Sequence, residues 1–100
     1  MIRHAGIFNF KADVSEEEKK SFFSALQNLE AIAGVMNMEI AKQTSAKNKF
    51  DYAFSMQFLN LDDYAAYSIH TQHDAFVQKF WLKYVDDFME IDTEHLQITK

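Results

Sequence analysis

Apolar and polar residues alternate from Ile2 to Lys11, with Ile2, His4, Gly6, Phe8 and Phe10 on one side and Arg3, Ala5, Ile7, Asn9 and Lys11 on the other. A repeat of this kind predicts a half-buried strand whose apolar face also carries a histidine. The pattern then changes. Ser15 followed by Glu18 reads as a capping box, Glu16 and Glu17 suit the positive end of a helix, and Phe22, Leu26, Leu29 and Ala33 recur at helical spacing until Gly34, which is expected to end the helix. Val35 to Ile40 suits a second strand, and the polar stretch Ala41 to Lys49 suits a long hairpin connection with a mobile tip. Alternation is clearest where Phe50, Tyr52, Phe54, Met56 and Phe58 interleave with Asp51, Ala53, Ser55 and Gln57, predicting a third strand. Asn60 with Asp63 caps a short helix, and after a break near Thr71 the residues His73, Phe76, Val77, Phe80, Trp81 and Tyr84 mark one face of a second helical piece. Val85 to Ile91, extended by Leu96 and Ile98, is expected as a partly exposed last strand, since Asp86, Asp87 and Glu90 interrupt it.

The order is β-α-β-β-α-β, an α+β arrangement of ferredoxin-like topology with its helices on one face of an antiparallel sheet. The other face, carrying Ala5, Ile7 and Ala53, then needs a cover. A second copy related by a two-fold axis supplies one, so a homodimer with facing sheets is expected.

Composition narrows the function classes. A chain of 100 residues, 48% apolar and without proline, suits a single compact domain over 1–100 rather than a disordered segment. The absence of cysteine removes disulfides, thiolate nucleophiles and cysteine-ligated metals. A formal charge of -5 without a basic stripe argues against nucleic acid as a partner. No apolar run nears the ~20 residues a membrane span needs, and charges stand where a signal peptide would be apolar. A cytoplasmic location without membrane association is therefore expected.

The densest polar cluster is Tyr67-Ser68-Ile69-His70-Thr71-Gln72-His73 at the junction of the helical pieces, with His4 placed to face it from the first strand. An imidazole titrating near pH ~6.5 can take and return a proton, and a phenol can hydrogen-bond a carbonyl oxygen as charge builds on it. His73, Tyr67 and His4 are thus the candidate catalytic residues for enolising a ketone or ester. The competing reading makes His70 and His73 a cap and a hydrogen-bond donor at a broken helix, with Tyr67 packed beside them. A metal is disfavoured, because His70 and His73 are three apart and no H-E-x-x-H pattern exists. Haem held by one of these histidines is weaker still. Phe22, Phe23, Phe54, Phe76, Phe80 and Trp81 converge between helices and sheet on this layout, either as plain core or as a pocket that Gly6 helps to open beside His4. The candidate ligand contacts are Gly6, Phe8, Phe22, Phe23, Leu26, Phe54, His70, Phe76 and Trp81.

With the opening I-R-H-x-x-x-F-x-F-K, the S-E-E-E-K-x-x-F-F stretch from Ser15 to Phe23, the strand ending at Phe58, and Tyr67-x-x-His70-x-x-His73-x-x-Phe76, nearly the whole chain resembles the stress-responsive dimeric α/β barrel family. That resemblance implies a homodimer with a hydrophobic pocket in each protomer and no organic cofactor. In the family's polyketide cyclase branch it implies a general base at His73, a partner at the reacting carbonyl at Tyr67, and His4 in the pocket wall. Thr71 stands where the family usually has proline, and the second strand lacks the glycine of the plant enzymes. Three functions remain open at this stage: a dimeric domain holding a small organic ligand, a cofactor-independent lyase or cyclase, and a haem-linked or cofactor-free oxygenase.

Overall fold

The computed structural model describes residues 1–99; the last residue of the expected domain, 100, lies outside them. Strand β1 (Ile2–Phe10) is followed by helix α1 (Glu16–Gln27), strands β2 (Met36–Lys42) and β3 (Tyr52–Phe58), helices α2 (Leu61–Ser68) and α3 (Thr71–Phe76), a π-helical turn (Val77–Trp81), a last helical turn α4 (Leu82–Tyr84) and strand β4 (Val85–Glu94). The strands form one four-stranded sheet in the order β2-β3-β1-β4, with β1 antiparallel to both of its neighbours. This is the ferredoxin-like α+β topology expected from the hydrophobic pattern.

Extents of 49 × 35 × 17 Å leave room for one helical layer on the sheet and nothing beyond it. The inner sheet face carries Phe8, Met56 and Phe58, all fully buried, and the helices lay Phe22, Leu26 and Leu29 upon them. Alternation sends Ala5, Ile7, Ala53, Ser55, Met89 and Ile91 to the outer face, where they line a shared hollow. Met89 and Ile91 are 61% and 60% exposed there.

Helix α1 begins as expected: the Ser15 hydroxyl accepts from the Glu18 amide at 3.1 Å while the Glu18 carboxylate accepts from the Ser15 amide at 2.9 Å. Its end differs from the expectation. The α-helix stops at Gln27, a 3₁₀ turn (Asn28–Ala31) carries Leu29 into the core, and Gly34 instead serves the following turn with φ +95, a conformation that side chains disfavour. Strand β2 consequently starts and finishes later than the sequence pattern suggests. The hairpin connection is tied to β1, where the Asn9 amide donates to the Lys49 carbonyl and its oxygen accepts from the Asp51 amide. Strand β4 runs on to Glu94 because it pairs with β1 along its whole length, whereas Leu96 and Ile98 lie beyond it and are exposed. The π turn has no counterpart in the periodic pattern. Its wider winding sets Phe76 and Trp81 on one face, with ring centroids 6.4 Å apart.

Gly6 was expected to open room in this layer, but its direct cross-strand neighbour Phe54 fills that room. A Cβ at Gly6 would stand 2.5 Å from Phe54 Cε1 and 2.7 Å from Cζ. Gly6→Ala should therefore cost about 1–3 kcal/mol of stability by overpacking, read as a lower urea midpoint. Combining it with Phe54→Leu should recover part of that loss, because the two side chains compete for one space. An unchanged midpoint in the single variant would show that the ring moves freely.

Candidate functional site

Between the helices and the β1–β4 half of the sheet lies a cavity of about 360 Å³. Its sheet wall holds His4, Phe54, Phe88 and Glu90, and its helical wall includes Leu26, Tyr64, Tyr67, His73, Phe76 and Trp81. The volume lies within the range typical of small-molecule sites, and the mainly apolar lining with a few polar groups suits that use.

His4 is 6% exposed, the one buried polar or charged residue among the described residues. Strand register places Asp92 directly across from it on β4, and His4 Nδ1 donates to Asp92 Oδ1 at 2.6 Å. Tyr64, on α2, donates its hydroxyl proton to Asp92 Oδ2 at 2.8 Å, and its oxygen lies 3.0 Å from His4 Nδ1. Because a carboxylate can only accept, Nδ1 of His4 carries hydrogen. Burial pushes the Asp92 carboxyl up, but the hydrogen bonds from His4 and Tyr64 together outweigh it and hold the group below the usual carboxylate range. Burial first, and then the Asp92 hydrogen bond, push the Tyr64 phenol well above its ordinary value, so it stays protonated.

His73 stands in the first turns of α3, and its Nδ1 donates to the Ser68 carbonyl at 3.2 Å. That carbonyl belongs to the frayed end of α2, where helical partners have run out. Nε2 of His73 is thereby the acceptor of a neutral ring, and desolvation, the largest influence, depresses its pKa despite the raising effect of the Ser68 bond. The Tyr67 ring lies 4.5 Å from the His73 ring, centroid to centroid. Tyr67 is 3% exposed and takes no part in the His4–Asp92–Tyr64 network; burial raises its pKa strongly. Among the described residues no buried side-chain nitrogen or oxygen lacks a partner. The Tyr67 hydroxyl and His4 Nε2 are therefore reached from the cavity rather than sealed in the core.

The structure brings His4, Tyr67 and His73 into the lining of one cavity together with Leu26, Phe54, Phe76 and Trp81. It puts the other candidate ligand contacts elsewhere. Phe8 and Phe22 are fully buried and packed ring to ring at 5.5 Å, and Phe23 packs edge-to-face with Phe10 and Tyr52 at the far end of the layer. Gly6 lies beneath the Phe54 ring. His70 is the N-cap of α3, accepting from the Gln72 amide at 3.0 Å. Sequence reasoning missed Tyr64, Asp92, Phe88 and Glu90. Phe88, Glu90 and Asp92 alternate along β4 opposite Phe8, Gly6 and His4, a signal available only once β4 is extended and paired with β1. No cluster of three or more His, Asp or Glu side chains among the described residues is placed to hold a metal ion.

A half-open ferredoxin-like sheet with an aromatic cavity behind it defines the class of this protein. The chain belongs to the stress responsive A/B barrel domain (Dabb) family, whose model matches residues 2–95. It is similar to a Dabb family protein of ferredoxin-like fold from Mesorhizobium loti, 37% identical over 96% of this chain and 97% of that one, with a TM-score of 0.89. The fold is shared with a dimeric ferredoxin-like protein of unknown function from Thermobifida fusca, 22% identical over 92% of this chain and 88% of that one, TM-score 0.79. It is shared too with the hydroxynitrile lyase of Passiflora edulis, 13% identical over 99% and 96% of the two chains, TM-score 0.88. The sequence matches no curated protein. No helix among the described residues is long and apolar enough to cross a membrane.

His73 should titrate below the ordinary imidazole value of about 6.5, since desolvation favours its neutral form. Its contribution to stability is then complete above that ordinary value and is lost as pH falls through the folded-state value. NMR titration of the His73 Cε1 proton, alongside urea unfolding at each pH, checks both. A midpoint at or above that of an unfolded-chain histidine would contradict the assigned environment.

Proposed function

We propose that two copies of this chain pair through their outer sheet faces and that each protomer holds a small, mainly apolar organic molecule in the cavity behind its own sheet. The observation that carries this reading is the about 360 Å³ cavity with the Tyr67 hydroxyl and two imidazoles opening into an aromatic wall. Pairing is supported by the apolar outer hollow that Ala5, Ile7, Ala53, Met89 and Ile91 share and by dimeric neighbours of the same fold. A cytoplasmic setting and a single domain over 1–100 belong to the same proposal.

A second reading, a cofactor-independent lyase or cyclase, is favoured by one bond. Donation from His73 Nδ1 to the Ser68 carbonyl leaves Nε2 a neutral base with its lone pair available, beside a phenol held protonated by burial. In that reaction His73 removes a proton from the carbon next to a substrate carbonyl, and Tyr67 donates a hydrogen bond to the resulting enolate oxygen. The fold shared with a hydroxynitrile lyase is compatible with proton-transfer chemistry in this cavity. His4, tied to Asp92, lines the site rather than attacking. The haem-linked and cofactor-free oxygenase readings gain no comparable support from any bond in the site.

Wild-type protein should sediment as a dimer at micromolar concentration, and Ile91→Lys should shift it toward monomer while leaving the far-ultraviolet spectrum unchanged; a stable wild-type monomer would falsify the pairing. His73→Ala separates the two readings of the cavity. If the protein only holds its ligand, dimerisation stays intact and affinity falls by no more than one hydrogen bond is worth, about tenfold; if it is a lyase, turnover falls by about 10²–10⁴-fold.

A further inference from the structure

The polar groups of the cavity are unequal in charge as well as in hydrogen-bonding sense. Glu90 is the one carboxylate among the lining residues, and neither lysine nor arginine is among them. It projects from β4 at the position paired with Gly6 and is exposed, which puts it at the solvent end of the cavity rather than on its floor. Its field reaches inward, acting on Tyr64, Tyr67 and His73. The second carboxylate nearby, Asp92, is bound to His4 and Tyr64 and adds negative charge behind the wall.

The hydrogen-bonding sense is also biased. With hydrogen on Nδ1 and a neutral ring favoured by desolvation, His73 presents Nε2 as an acceptor. Ser68 spends its hydroxyl on the Tyr64 carbonyl at 3.0 Å, which leaves the Tyr67 hydroxyl to donate into the space.

We propose that the cavity selects an uncharged aromatic or alicyclic molecule that donates at least one hydrogen bond, and that Glu90 at its mouth turns anions away. This deepens the ligand-holding reading and rests on it. The chemistry it admits is that of neutral phenols, enols and hydroxylated rings. Carboxylates, phosphates and phosphate-bearing thioesters are excluded, because an anion entering the cavity meets Glu90 without a cation to offset it.

Calorimetric titration with fused-ring probes tests the claim on the intact protein at about pH 8, where the desolvated His73 is neutral and a simple phenol keeps its proton. 2-Naphthol should bind at least about tenfold more tightly than 2-naphthoate, equal to ~1.4 kcal/mol. Glu90→Gln should shrink that ratio to about threefold or less by tightening naphthoate, and added salt should shrink it too, because Glu90 is exposed. 2-Methoxynaphthalene, which has no proton to donate, should bind more weakly than 2-naphthol. Equal binding of naphthol and naphthoate in the wild type, or a ratio unmoved by Glu90→Gln, overturns the anion barrier while leaving the cavity a ligand site. Equal binding of naphthol and its methyl ether overturns the donor requirement. If no probe binds a protein that NMR shows to be folded, the ligand-holding reading fails along with this one.

Discussion

Burying an imidazole on a central strand sets the terms for everything around it. His4 sits on β1, between β3 and β4, at a depth where an unpaired polar nitrogen would cost about 1–3 kcal/mol. The strand register answers that demand with Asp92, and Asp92 in turn takes the Tyr64 hydroxyl. Tyr64 is a residue of α2, so the network clamps that short helix onto the sheet, with its ring stacked 5.0 Å from Phe58. Once α2 is fixed, its last turn fixes Tyr67 and the Ser68 carbonyl, and the Ser68 carbonyl orients His73. The cavity's polar groups are thus linked through one buried ring, although His4 and His73 are 69 positions apart in the chain.

The same one-sided layering accounts for both faces of the sheet. A chain of 100 residues has too little material to cover a four-stranded sheet twice, and a domain of this size leaves roughly a third of its unfolded surface exposed in any arrangement. Helices concentrate on the inner face, where the rings of Phe8, Phe22 and Trp81 meet at 5.3–6.1 Å. Ring pairs settle in offset or edge-to-face arrangements with centroids roughly 4.5–7 Å apart. The π turn adds to this by carrying Trp81 across to Phe88 at 5.3 Å, roofing the space rather than filling it. The outer face is left with small and aliphatic residues beside Arg3, Glu39 and Ser55, and burial of its apolar part requires another surface.

Local patterning made most of the fold legible. Alternation located β1 and β3, the Ser15–Glu18 box located the start of α1, and the Asn60 cap located α2. What stayed hidden depended on partners distant in sequence. Strand β4 looks too acidic to be a full strand until its pairing with β1 turns Phe88, Glu90 and Asp92 inward. Asp92 in isolation is one of fifteen acidic residues, with nothing local to separate it from a solvated charge. Of the candidate pocket residues, Phe8, Phe22 and Phe23 share the periodicity of the true wall but lie toward the other end of the layer, a distinction along the strand axis that period alone does not encode. His70 belonged to the alternative in which it caps a broken helix, and its Nδ1 does accept from the Gln72 amide.

The Tyr67 hydroxyl weighs most in deciding whether the hollow is a packing remnant or a place for a ligand. A phenol as deeply set as this one, at 3% exposure, ordinarily finds a protein acceptor, as Tyr64 does in Asp92. Phenylalanine would fill the same volume without desolvating a hydroxyl, so a purely structural role gains nothing from the oxygen. The oxygen is useful where something else enters the cavity and accepts its proton. His73, neutral and held from behind by a backbone carbonyl, stands against the same ring with a lone pair of opposite sense. A donor and an acceptor fixed side by side at an apolar wall suit a molecule that carries a carbonyl next to a hydroxyl or an acidic C–H. Binding and proton transfer would then make the same demand on the protein, and differ only in whether the proton moves.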